Sequence, residues 1–199
     1  MRTGSPQLLP IFRSAGQARL LTRVYLGASA PATLAELARE LDLDDGGLTR
    51  EANRLERAGL VTSERVGRSR ILHPRGDSPY YPELYSLLLK AFGPAVVIGP
   101  LLSSVAEIEE AYVFGSWAAR YLGIPGADPE DVDVIVIGSP RRLELSRVAR
   151  ELSPAFGREV NMTAVSREAW ESAERGFLRD VKHGSLVVID LGGGDRGPE

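Results

Sequence analysis

Residues 33–61 read TLAELARELDLDDGGLTREANRLERAGLV, and their spacing sets the architecture of the first part of the chain. Thr33 stands three residues before Glu36, the arrangement in which side chain and backbone cap a helix start reciprocally. Leu34, Leu37, Ala38 and Leu41 follow at helical spacing and give a short helix ending near Asp42. Asp44 or Asp45 then caps a helix running to Ala58, with Leu48, Ala52 and Leu55 on its inner face. Gly59 sits where a helix C-terminal glycine belongs. Upstream, Ala18, Leu20, Leu21, Val24 and Tyr25 place a helix over 17–26, after a loose lead-in at 1–14 and before a Ser-Ala-Pro break at 29–31. Downstream, the short extended runs 60–62 and 70–72 flank Gly67 and read as a hairpin.

Pro74, Gly76, Pro79 and Pro82 crowd the next stretch and mark the expected domain boundary. Beyond it come helical stretches at 84–92 and 96–105. Strand 111–114, helix 117–122, strand 132–137, helix 143–152 and strand 159–165 then alternate. A helical region at 167–182 and an apolar run at 186–189 complete the order. Such alternation implies an α/β module. The expected layout is therefore residues 1–76, a linker and connecting helix at 77–93, a second domain at 94–191, and a disordered tail at 192–199. The fold class is α+β in two domains, the second built on a small mixed sheet.

Composition narrows the chemistry. The 199 residues are 43% hydrophobic and 26% charged, as in ordinary globular proteins. Cysteine is absent, which excludes disulfides and thiolate chemistry, and with only His73 and His183 a Cys/His zinc site is not expected. No unbroken apolar run of about 18 residues and no signal-peptide pattern occur, so a cytoplasmic protein without a membrane span is expected. The net charge of -3 hides an asymmetry: residues 1–76 carry 12 Arg and 8 Asp+Glu, and the remainder carries 12 Lys+Arg and 19 Asp+Glu. A positive first module suits a polyanionic partner.

Three short helices followed by a hairpin is the order of a winged helix-turn-helix. On the third helix Arg50, Asn53, Arg54 and Arg57 lie off the apolar stripe, and the hairpin tip adds Arg65, Arg68 and Arg70 around Gly67. A helix fits the major groove of double-stranded DNA, while guanidinium groups on a tip can pair with phosphates. Glu51, Glu56 and Glu64 dilute this patch, and the plain alternative is a solvated helix with weak surface pairs. Residues 33–61, followed by VGRSRIL at 66–72, resemble the winged helix-turn-helix of bacterial transcriptional regulators.

Residues 113–137 read VFGSWAARYLGIPGADPEDVDVIVI. A strand runs into Gly115-Ser116 and directly into a helix, where backbone N–H groups can meet a phosphate. Asp131 and Asp133 follow at strand spacing, so both carboxylates project from one face. Such a pair suits Mg²⁺ or Mn²⁺, with the shell completed by substrate phosphates. Asp133 interrupts an otherwise apolar run, and an uncompensated buried carboxylate is costly.

Gly115, Ser116, Asp131 and Asp133 resemble the pattern of minimal nucleotidyltransferases of the DNA polymerase beta superfamily over about residues 94–165. The resemblance implies binding of an NTP, with ATP as the default, and transfer of a nucleoside monophosphate to an acceptor. The family places a third carboxylate on a later strand, where this chain reads GREVNMTAV and aligns Asn161. Asparagine supplies neither charge nor a general base. Glu159, two residues earlier, is the expected substitute, and Arg120 is expected either to reach a phosphate or to pair with an acid of the loop at 128–131. A winged helix joined to such a domain also looks like a group of bacterial fusion proteins. Two readings stand: a Mg²⁺-dependent transferase brought to DNA, and a DNA-binding regulator whose degenerate transferase domain binds nucleotide or dimerises.

Overall fold

The computed structural model describes residues 11–27 and 31–192. The expectations for 1–10, for 28–30 and for the tail at 193–199 lie outside those residues. α1 (Ala15–Leu26) begins where Ser14 Oγ accepts the Gln17 amide, at 3.1 Å. α2 (Leu34–Glu40) carries the full capping box between Thr33 and Glu36. α3 (Asp45–Arg57) is capped by Asp44, whose carboxylate accepts the Gly47 amide at 2.6 Å. Each cap satisfies a helix-start N–H that would otherwise lack a partner. The apolar faces meet in one core: Leu20, Leu21 and Val24 from α1, Leu37 and Ala38 from α2, Leu48, Ala52 and Leu55 from α3 are all buried.

β1 (Val61–Val66) and β2 (Ser69–Pro74) form an antiparallel hairpin that pairs Val66 with Ser69 around the turn. The strands run further toward the tip than the apolar residues alone suggest, because their outer halves are polar. Gly67 takes φ +62°, the left-handed turn conformation that glycine adopts at least cost.

α4 (Tyr81–Phe92) corrects the expected boundary. The chain divides after Ala91, so the proline-rich stretch lies inside the first unit and α4 is not a free connector. Stacking is the physical reason. The buried Tyr25 ring lies against Tyr81 at 5.4 Å between centroids, and Tyr81 against Tyr85 at 6.0 Å. Tyr25 Oη also donates to the Leu60 carbonyl at 2.6 Å.

The second unit starts with α5 (Pro94–Leu102), after which β3 (Ile108–Phe114) leads straight into α6 (Gly115–Tyr121). β4 (Val132–Gly138), α7 (Arg142–Phe156) and β5 (Val160–Val165) form a parallel crossover. α8 (Arg167–Glu171), α9 (Gly176–His183) and β6 (Leu186–Val188) close the unit. The sheet order is β5-β4-β3-β6, with β3 antiparallel to both neighbours, which makes it a mixed sheet. β4 is central, and Val132, Val134, Ile135, Val136 and Ile137 are fully buried. A strand covered on both faces reads as a continuous apolar run. The single helical region expected at 167–182 is two helices, α8 and α9, with Gly176 at φ +70° opening the second.

The stretch Tyr81–Leu102 is, by length and composition, long and apolar enough to cross a membrane. Glu83 and Lys90 interrupt it, so it is not an unbroken apolar run. Leu88, Leu89, Ile98 and Leu102 are buried in protein, so the stretch equally fits core helices.

Burial, and then the neighbouring Tyr81, push the Tyr25 phenol up to about 12 from its ordinary 10.0. The fold favours the protonated phenol, so this contribution is complete below pH 10 and is lost as pH rises toward 12. Tyr25→Phe is expected to cost about 1 kcal/mol near neutral pH through the lost hydrogen bond. Urea unfolding over a pH series should show the variant losing less stability than the parent across that alkaline window.

Candidate functional site

The first candidate surface is built on α3 and the hairpin tip. With Leu48, Ala52 and Leu55 turned inward, the helical period leaves Arg50, Asn53 and Arg57 exposed and Arg54 half-buried. Arg50 lies 3.9 Å from Asp44, and both side chains are largely exposed, so this pair is weak. Arg54 Nη1 donates to Glu51 Oε2 at 2.6 Å, and Arg57 Nε donates to the Asn53 carbonyl at 3.3 Å. Arg65 and Arg68 are exposed on either side of Gly67. They are placed to reach a polyanion.

Arg70 and Asn53 do something else. Arg70 Nη1 donates to Asn53 Oδ1 at 2.6 Å, and its Nη2 donates to Glu56 Oε2 at 2.7 Å. Ser63 Oγ donates to the other Glu56 oxygen at 2.7 Å. The Arg70 side chain is only 18% exposed. These bonds tie both strands of the hairpin to the outer face of α3 and fix the tip relative to the helix. For Arg70 and Asn53, the expectation of a direct DNA contact gives way to this tie. Arg13 is the residue the sequence reading missed. It stands one position before the α1 cap and reaches Glu51 at 3.4 Å. Nothing in its local sequence marks it, since its partner is 38 residues away.

The second candidate site lies where β3, β4 and β5 run side by side. Phe114 pairs with Asp133 across β3 and β4, and Asp133 pairs with Asn161 across β4 and β5. Directly paired residues share a face. Gly115, at φ +70°, makes the turn from β3 into α6, and a Cβ there would stand 3.2 Å from Asp133 Oδ2. Glycine therefore keeps the mouth of the site open. Ser116 is half-buried in the first turn of α6.

Asn161 bridges the two acids. Its Nδ2 donates to Asp131 Oδ2 at 2.9 Å and to Asp133 Oδ1 at 3.4 Å. Burial, and then the charge of Asp131, raise the Asp133 carboxyl above its ordinary range, while the Asn161 hydrogen bond acts in the opposite direction. Two oxygen-bearing side chains on one face suit a hard divalent cation with few protein ligands. Glu159 does not complete a trio. It is exposed, its carbonyl accepts the Val132 amide, and among the described residues no three acidic or histidine side chains gather as a metal-binding group.

Arg120 is committed elsewhere. Its Nη1 donates to the Ile124 carbonyl, and its guanidinium packs where a Cβ on Gly126 would stand, so it holds the loop after α6. Its Nε is buried without a hydrogen-bond partner among the described residues. Trp117 is buried, with the Arg158 guanidinium 5.1 Å from its ring centre, and serves the core.

Residues 14–70 match the MarR family model, which covers the three helices and most of the hairpin. No curated protein matches the chain. Two solved structures of ZitR from Lactococcus lactis, both mutants, are similar over part of their length. The first is 15% identical, with TM-score 0.33, and the match covers 46% of this chain and 58% of that one. The second is 16% identical, with TM-score 0.33, over 45% and 57%. The chain thus spans less than two thirds of either relative, and likeness at this level carries no argument. Residues 14–70 are a winged-helix region of MarR-family type.

Asp133→Asn removes a desolvated charge that faces a second carboxylate. Its melting temperature without added metal, followed by calorimetry at neutral pH, is expected to exceed that of the parent.

Proposed function

We propose that the chain is a DNA-binding transcriptional regulator whose second unit is a degenerate nucleotidyltransferase-like domain, holding a nucleotide without transferring it. The observation that carries this reading is the Asn161 amide spanning Asp131 and Asp133 at the third-carboxylate position. An amide donates to the acids but cannot accept the proton of an attacking group. The basic face of α3, the hairpin tip and the MarR-family match at 14–70 support the DNA-binding half. Arg50, Arg54, Arg57, Arg65 and Arg68 are the contacts this reading assigns to duplex DNA.

Asp131 and Asp133 are the residues that would hold Mg²⁺ or Mn²⁺, and Gly115 with Ser116 would face the phosphates of an NTP. A bound divalent cation supplies charge neutralisation for those phosphates. The protein's own part is to hold Asp133 on β4 and Asp131 just before it within reach of one Asn161 amide, and to leave room above Gly115. A homodimer would bring two α3 helices to half-sites one helical turn apart. Such a regulator works in the cytoplasm.

A second reading keeps the domain catalytic, transferring a nucleoside monophosphate from an NTP. The Gly115–Ser116 turn and the paired aspartates favour it. Arg68→Ala should weaken duplex binding and lower the salt dependence of log affinity by about one unit. Absence of wild-type binding at low salt would remove the DNA-binding reading. For the second unit, Asp131→Asn with Asp133→Asn should abolish Mg²⁺-dependent ATP binding in calorimetric titration. Labelled NTP should be transferred weakly or not at all by the wild type and gain transfer in Asn161→Asp. Robust wild-type transfer that persists in Glu159→Gln would favour the enzyme.

A further inference from the structure

A groove of about 330 Å³ separates the start of α1 from α3. Its polar rim carries Arg13 from the α1 side and Arg50 and Arg54 from the α3 side, while Leu20, Leu43 and Leu48 form its floor. Beneath the rim lies Glu51, whose side chain is only 13% exposed. Three donors converge on it. Gln17 Nε2 donates to Oε1 at 2.8 Å, Arg54 Nη1 donates to Oε2 at 2.6 Å, and Arg13 Nη2 donates to the same oxygen at 3.4 Å. Gln17 is itself oriented, because its Oε1 accepts the Arg13 amide at 2.9 Å. Glu51 therefore holds two guanidiniums, one on α3 and one just before the start of α1.

A guanidinium has five N–H donors, and one contact to Glu51 leaves the others pointing outward. The Arg13 side chain is 61% exposed and that of Arg54 is 42% exposed. Two forked donors held at one groove suit a phosphate, which accepts paired, charge-assisted hydrogen bonds. The groove lies on the face of α3 assigned above to DNA. We propose that it seats a phosphate of the DNA backbone between Arg13 and Arg54, with Arg13 a direct contact and Glu51 the positioning residue. The inference rests on the DNA-binding reading and extends it to a residue outside the α3 and hairpin set.

This assignment has a counter-intuitive consequence. Glu51 is an acid within a DNA-facing surface, so bulk electrostatics alone demand that any neutral replacement tighten binding. Positioning demands a split. Gln keeps an acceptor for the guanidiniums while removing the negative charge. Ala removes both the charge and the geometry.

The test is the affinity of the full chain for a labelled mixed-sequence duplex, followed by fluorescence anisotropy over a salt series. Expected is Arg13→Ala binding more weakly than wild type, with the salt slope reduced by about one unit. Glu51→Gln is expected to match or exceed wild-type affinity, and Glu51→Ala to fall severalfold below it. Tighter binding by Glu51→Ala, or an unchanged salt slope in Arg13→Ala, overturns the phosphate seat and leaves the DNA-binding reading in place. Wild-type failure to bind at low salt overturns both. Arg13→Ala alters an exposed side chain, so it decides the question even where Glu51→Ala does not fold.

Discussion

A carboxylate on a buried strand must be compensated, and in the second unit that constraint is met by an amide. Every apolar neighbour of Asp133 on β4 is fully buried, so its charge sits at the edge of a desolvated core. Isolated in that position it would shift its protonation or destabilise the strand. The parallel register of β4 and β5 brings Asn161 directly alongside, and its N–H groups face both aspartates. The sheet can therefore keep two acids at one edge without a third charge. Among the described residues no third acid joins the pair.

The first unit uses the opposite device. There, acids hold arginines. Glu56 anchors Arg70 and so sets the hairpin against α3, while Glu51 gathers Arg13, Gln17 and Arg54 between α1 and α3. Glu51 is more enclosed than an ordinary surface partner, and Glu56 holds an Arg70 that is itself largely buried, so the geometry of both persists better than that of a fully exposed pair. Counting charges along residues 1–76 treats these glutamates as dilution of a basic patch. Their placement makes them part of what orients it.

Much of this was legible in the sequence where the signal is local. The Thr33–Glu36 box, the Leu48, Ala52, Leu55 stripe and the Gly67 turn each rest on residues a few positions apart. The odd Asp133 within an apolar run also marked the second candidate site, whereas Asn161 came only from the family resemblance, and its place beside Asp133 depends on the β4–β5 register. What escaped depends on long-range partners. Arg70 looks like a tip arginine until β2 folds it back across 17 residues onto Asn53. Arg120 has the right spacing from Ser116, yet its guanidinium follows the loop to the Ile124 carbonyl. α4 looks like a connector after a proline cluster, yet the chain divides after Ala91, and the Tyr25–Tyr81 stack joins α4 to α1.

Under the proposed function, the winged helix reads a specific duplex sequence. Selection of duplex fragments from a random pool by the purified chain, followed by sequencing, tests this most directly. The account predicts enrichment of a shared sequence motif that no longer emerges when Arg50, Arg54 and Arg57 are replaced together by alanine. A pool that stays random under low-salt selection would contradict it.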